Sequence, residues 1–157
     1  MKQIVKKLIK ENKTISIMEA CTGGALSTAL TDIPGSSKIF NFAAVTYSNE
    51  YIIKMGVSKD VIDEYTVYSM ETSDEMSKAI CDFTSSDFGI GVIGQLNRHD
   101  IYNIVSEKDV IYISIYSKRY KKFYNKSLRV DKIKRHENKK IIVNNIKQML
   151  NDVLKIR

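Results

Sequence analysis

The sequence predicts an α/β sandwich built on a mixed sheet, and three observations carry that reading. Helical and extended patterns alternate along the chain instead of segregating into blocks. FGIGVIG (88–94) is a continuous apolar run with small residues, the composition of a strand covered on both faces. FYNKSLRV (123–130) alternates in character, as a strand with one solvated face does. At 157 residues and 43% hydrophobic, the chain is long enough for one core, so residues 1–157 are expected to form a single domain without repeat or linker.

The elements follow in order. MKQIVKKLIKENK (1–13) puts Ile4, Val5, Leu8 and Ile9 on one helical face among lysines, without the apolar run of a signal peptide. TISIM (14–18) reads as a short buried strand, and Gly23-Gly24 then opens a helix through about Thr31. DIPGSS (32–37) is turn-forming and contains the single proline. FNFAAVTYS (40–48) reads as the next strand, and residues 59–65 and 70–84 as helices, the second capped by Ser69. VIYISIYS (110–117) and 123–130 form an antiparallel pair, and Ile142, Ile146, Met149 and Val153 mark a closing helix from about Asp131.

Charge is uneven. Eleven of the basic residues, from Lys118 through Arg119, Lys121, Lys122 and Arg135 to Lys140, fall in a window with only Asp131 and Glu137 opposing them, so it carries +9 of a net +7. Tyr116, Tyr120, Phe123 and Tyr124 interleave with these cations. That pattern suits either a solvated hairpin or a surface that meets phosphates and stacks on bases. Cys21 and Cys81 lack CxxC spacing, and His99 and His136 are isolated, so neither a disulfide framework nor a metal site is expected. No run is long enough to cross a bilayer, and the expected location is cytoplasmic, with no membrane partner.

The stretch MEACTGGAL (18–26) carries the chemistry. A strand that enters a glycine turn and then a helix gathers free backbone N–H groups and the positive end of a helix dipole, which suits an anion or a polarised carbonyl.

Together, SIMEACTGGALSTALTDIPGSSKIF, AVTYSNEYIIKMGV and YSMETSDEM resemble the C-terminal domain of the CinA (competence/damage-inducible) family, which also occurs alone as nicotinamide mononucleotide amidase. The strong part covers 14 to about 76, with weaker similarity through FGIGVIG, VIYISI and the last helix. The resemblance implies a three-layer α/β/α sandwich, a homodimer, no cofactor, and hydrolysis of a pyridine-nucleotide carboxamide to acid and ammonia. It also implies a serine nucleophile in the turn, activated by the tyrosine of YSNE and by a lysine two residues beyond its glutamate. A serine hydroxyl needs such a base, and a lysine of depressed pKa can serve.

Three departures follow. The serine position is Ala20, and the lysine position is Ile52, while Tyr47 is kept. Lys54 lies two residues further, roughly 200° round a helix from position 52, in a segment one residue short of the family spacing. The family's glycine loop GIAGPGGG is replaced by GQLNRHDIYN, which brings bulk where backbone approached ligand.

The sequence therefore predicts a domain impaired in catalysis that keeps a pocket for a pyridine nucleotide or phosphate. Its lining is expected from Glu19, Cys21, Thr22, Gly23, Gly24, Ser48, Asn49, Gly94 and Arg135, around Ala20, Tyr47 and Ile52. Two alternatives stay open. One is an active amidase with a relocated nucleophile or base, such as Cys21, Lys54 or a His99–Asp100 pair. The other is a polyanion or nucleic-acid module using the basic hairpin.

Overall fold

The computed structural model describes residues 1–97, 101, 103 and 107–156. Among them, α1 (Lys2–Lys10), β1 (Ile15–Glu19), α2 (Ala25–Thr31), β2 (Phe40–Val45), α3 (Asn49–Lys54), α4 (Lys59–Tyr65), α5 (Met70–Thr84), β3 (Phe88–Gly94), β4 (Val110–Ser117), β5 (Lys122–Arg129) and α6 (Arg135–Val153) follow one another. The strands form one sheet in the order β2-β1-β3-β4-β5. β1 pairs parallel with β2 and β3, whereas β3–β4 and β4–β5 are antiparallel, so the sheet is mixed as expected.

Strand alternation divides the interior into two layers. Ile15, Ile17, Ile90 and Val92 point to the face covered by α1, α2 and α6, whose Leu8, Leu26, Ile142 and Ile146 are fully buried against them. Met18 and Ile93 point the other way, toward Ile52, Met76 and Ile80 of α3 and α5. The result is the α/β/α arrangement. The small residues of β3 let α5 lie directly on the sheet: a Cβ on Gly91 would stand 2.2 Å from the Ser73 carbonyl oxygen, and one on Gly89 would stand 1.9 Å from that of Ser77.

Two boundaries differ from the sequence reading. The strand over 40–48 stops at Val45, because the chain leaves the sheet after the Thr46 N–H bonds the Glu19 carbonyl (3.1 Å), and Ser48 then caps α3. The closing helix starts at Arg135 and not at about 131, since Val130 N–H is still tied to the Asp109 carbonyl (2.9 Å) beyond β5.

Strand register also separates the two ends of the basic window. Ser117 pairs with both Phe88 and Lys122, so the turn at 118–121 lies where β3 begins. Gly94 pairs with Ile111, and Val110 with Arg129, so 130–140 lies where β3 ends. Eight strand residues keep the two cation groups roughly 25 Å apart. No helix among the described residues is long and apolar enough to cross a membrane.

Candidate functional site

The turn after β1 is organised by a carboxylate. Glu19 is fully buried and accepts from Thr22 Oγ1 (2.5 Å), Ser27 Oγ (2.6 Å), Ser27 N (3.1 Å) and Leu26 N (3.2 Å). Four donors satisfy a charge that burial would otherwise make costly. The N–H groups at the start of α2 are therefore filled by the protein's own anion. Gly23 (φ +56°) and Gly24 (φ +91°) make the left-handed turn that permits this, and Lys139 Nζ stands 3.1 Å from where a Cβ on Gly23 would be. Glu19, Thr22, Gly23 and Gly24 thus build the turn and are not among the residues that line the cavity.

The cavity, about 670 Å³, opens at the carboxyl ends of β1, β2 and β3, where parallel sheets collect ligands. Ala20, Cys21, Tyr47, Ser48, Asn49, Ile52, Gly94 and Arg135 all line it, so the structure brings together eight residues expected at the site. Ala20 and Ile52 are buried and contribute only hydrocarbon. Tyr47 is 69% exposed at the rim, and its hydroxyl accepts from Arg135 Nη2 (3.1 Å). Arg135 Nη1 donates to the Leu96 carbonyl, so one guanidinium ties the loop after β2 to the loop after β3. Ser48 is committed to capping α3, and Asn49 Nδ2 donates to Asn103 Oδ1 (2.8 Å). Gly94 admits no side chain, because a Cβ would meet Ile111 and the Val110 carbonyl at 2.6 Å.

Neither described substitute for the missing groups is poised for chemistry. The Cys21 thiol is buried, and desolvation pushes its pKa up to about 12, with Glu19 adding to the rise; almost none is thiolate near neutrality. Lys54 is not among the residues that line the cavity; it is bonded to Glu50 (2.5 Å) and lies 4.9 Å from the Tyr51 ring centroid. His99 and Asp100 lie outside the described residues. No group of three or more metal-ligating side chains occurs among the described residues.

Eight further lining residues, Thr46 and Gln95 among them, were outside the site expected from sequence. Thr46 and Gln95 line the cavity and are 2% and 5% exposed, and Thr46 Oγ1 and Gln95 Nε2 are buried without a hydrogen-bond partner among the described residues. They flank Ala20: the Thr46 N–H bonds the Glu19 carbonyl on the β2 side, and Ala20 N–H bonds the Val92 carbonyl of β3, which runs on to Gln95. Only their place beyond the ends of parallel strands hinted at this.

The family model for the CinA C-terminal domain matches residues 1–154. The chain belongs to this family. A competence-damage inducible protein of Thermoanaerobacter sp. (strain X514) is 40% identical over 96 residues, which is 60% of this chain and 23% of that protein. The chain thus spans about a quarter of the length of such relatives. Among solved structures, a competence-damaged protein (CinA) superfamily protein of Klebsiella pneumoniae superposes with a TM-score of 0.89 at 17% identity, over 98% of this chain and 94% of that one. The competence/damage inducible protein CihA of Agrobacterium tumefaciens gives a TM-score of 0.85 at 23% identity, over 98% and 94%. At these identities the superpositions establish the shared CinA fold.

Proposed function

We propose that this CinA domain is a binding domain for a small anionic ligand of the pyridine-nucleotide class and does not hydrolyse it. The observation that carries the reading is the pair Ala20 and Ile52, which meet in one cavity at the positions where the family resemblance calls for nucleophile and base. An alanine methyl has no lone pair to attack a carbonyl, and an isoleucine cannot take its proton. What the cavity keeps is recognition chemistry: apolar walls at Val67, Ile93 and Leu96, the Tyr47 ring at the rim, and Arg135, which has no acidic partner among the described residues. Isothermal titration with nicotinamide mononucleotide and its deamidated acid tests binding. Heat of binding with either supports the reading, and none with both at millimolar concentration refutes it.

The homodimer that the resemblance implies would use β2. This edge strand, FNFAAV, has no charge, exposes Val45 and Phe42, and packs Phe42 on Phe83 with ring centroids 5.3 Å apart. The opposite edge, β5, carries Lys122, Lys126 and Arg129, which discourage strand addition there. A second copy pairing along β2 would border the cavity rim at Tyr47. Light scattering of wild type and Val45→Lys decides: dimer and monomer respectively are expected, and a monomeric wild type removes the proposal.

A further inference from the structure

The first half of the basic window has no part in the cavity and is concentrated in one hairpin. Residues 110–130 carry Lys118, Arg119, Lys121, Lys122, Lys126 and Arg129 and no carboxylate. Arg129 is engaged by Glu107 (2.7 Å), but the other five form no ion pair among the described residues. Lys118, Arg119, Lys121 and Lys122 are exposed in or beside the turn. Backbone bonds from Lys118 N–H to the Asp87 carbonyl (3.0 Å) and from Lys121 N–H to the Lys118 carbonyl (3.4 Å) hold that turn without drawing on the side chains. Five unpaired cations in one hairpin repel one another, and a bound polyanion would relieve that repulsion.

The strand sorts the rings of the window into two kinds. Tyr116 and Phe123 pair across β4 and β5, ring centroids 4.9 Å apart, on the face toward α5, and Tyr116 is buried. On that face Asn125 donates to Asp74 of α5 (3.1 Å), so a carboxylate stands there. Lys122, Tyr124 and Lys126 alternate with these residues and share the opposite face, where Tyr124 packs at the margin of the core beneath α6. Lys122 Nζ lies 5.0 Å from the Tyr124 ring centroid; in the turn, Arg119 lies 5.5 Å from that of Tyr120, which is 63% exposed. Cation, ring and cation thus follow at intervals of about 7 Å along the edge strand of the sheet.

We propose that this hairpin is a binding surface for a single-stranded nucleic acid, with Lys118, Arg119, Lys122 and Lys126 meeting phosphates and Tyr120 and Tyr124 meeting bases. Cations alone would serve any polyanion. Rings set between them add a contact that an unpaired base completes and a duplex, whose bases already stack on one another, does not. An acidic peptide or an anionic bilayer would meet the charges without stacking. The surface lies at the end of β3 opposite the cavity, roughly 25 Å away, so it stands or falls independently of ligand binding there.

Fluorescence anisotropy with two labelled probes separates charge from stacking: an oligothymidylate about 12 nucleotides long and an abasic oligomer of the same length and backbone. If about four phosphates are met, affinity for both falls about fiftyfold between about 50 and about 200 mM salt. Wild type is expected to bind the oligothymidylate at least about fivefold more tightly than the abasic oligomer, the low end for one stacked base. Tyr120→Ala should remove that preference and leave the salt dependence unchanged. Arg119→Glu with Lys122→Glu should weaken both probes by more than about tenfold and flatten the salt dependence. Lys132→Glu with Lys134→Glu, beyond a screening length from the hairpin, should change neither by more than about twofold. These positions are exposed, and melting temperatures check that each variant is folded. No binding of the oligothymidylate at about 50 mM salt with protein up to about 100 μM overturns the proposal. Equal affinity for the two oligomers, or an equal loss in the Lys132 and Lys134 variant, also overturns it. So does binding of phosphatidylglycerol vesicles without binding of either oligomer, which would assign the charges to a membrane surface.

Discussion

Glu19 and Ala20 are neighbours at the end of β1, both buried, and strand alternation sends them to opposite faces of the sheet. On the α2 face, Glu19 is surrounded by four donors that leave its carboxylate fully engaged. On the α3 and α5 face, Ala20 lies under a cavity whose adjoining polar groups, Thr46 and Gln95, are unpartnered. The difference shows how one motif separates scaffold from chemistry. The turn depends on Glu19, Thr22, Gly23 and Gly24, so position 20 can lose its hydroxyl while the strand, turn and helix stay in place.

The largest expected effect breaks the scaffold side. Glu19→Ala strands buried donors and removes the tie between β1 and α2; urea or thermal unfolding should register a loss of about 4 kcal/mol. Glu19→Gln, which keeps the shape and part of the bonding, should lose less. Equal stability of wild type and Glu19→Ala would mean that the turn is held by packing alone. Next is Gly91→Ala, whose added methyl meets the Ser73 carbonyl at 2.2 Å; about 2 kcal/mol of overpacking is expected from the same unfolding measurement.

Cys21 sharpens the comparison through pH. Its folded pKa is raised from 9.0 to about 12, so its contribution to stability is complete below pH 9 and is lost as pH climbs from 9 toward 12. Cys21→Ala should flatten that alkaline decline in melting temperature. An unaltered alkaline profile would show that other groups cause it.

The smallest effect on stability is expected from Ala20→Ser, within about 1 kcal/mol of wild type by thermal unfolding, because the residue borders a cavity and not the Glu19 cluster. That variant should release no ammonia, and Ala20→Ser with Ile52→Lys at most a trace, since residues that act as a unit are strongly non-additive. Vigorous turnover by the single variant would mean that an activating base is already present.

Much of the scaffold was legible in the chain and less of the site was. FGIGVIG announced a covered strand because a helix can lie on it only where Gly89 and Gly91 leave room, and the apolar spacing of Ile142, Ile146 and Met149 announced α6. The stretch 40–48 read as one strand because Thr46 and Tyr47 have the same extended preference as Phe40 to Val45. What ends β2 is the length of its neighbour β1, which local propensity does not contain. Ala20, Tyr47 and Ile52 are identified by motif, Arg135 is expected as a ligand-binding residue without one, and all four line one cavity. Glu19 and Thr22 were expected to face a ligand, but their partners are eight or fewer residues away in their own turn, a closure that depends on the Gly23 and Gly24 dihedrals. Thr46 and Gln95 become informative only through burial without a partner, which no residue type or spacing reveals.

Ammonia release from nicotinamide mononucleotide by the wild-type chain tests the central claim most directly. A coupled assay at millimolar nucleotide and micromolar protein, run beside a titration on the same sample, is predicted to give no ammonia above the protein-free rate. Sustained release that scales with protein concentration and disappears in Cys21→Ala or Lys54→Ala would contradict the account and assign the chemistry to a relocated group.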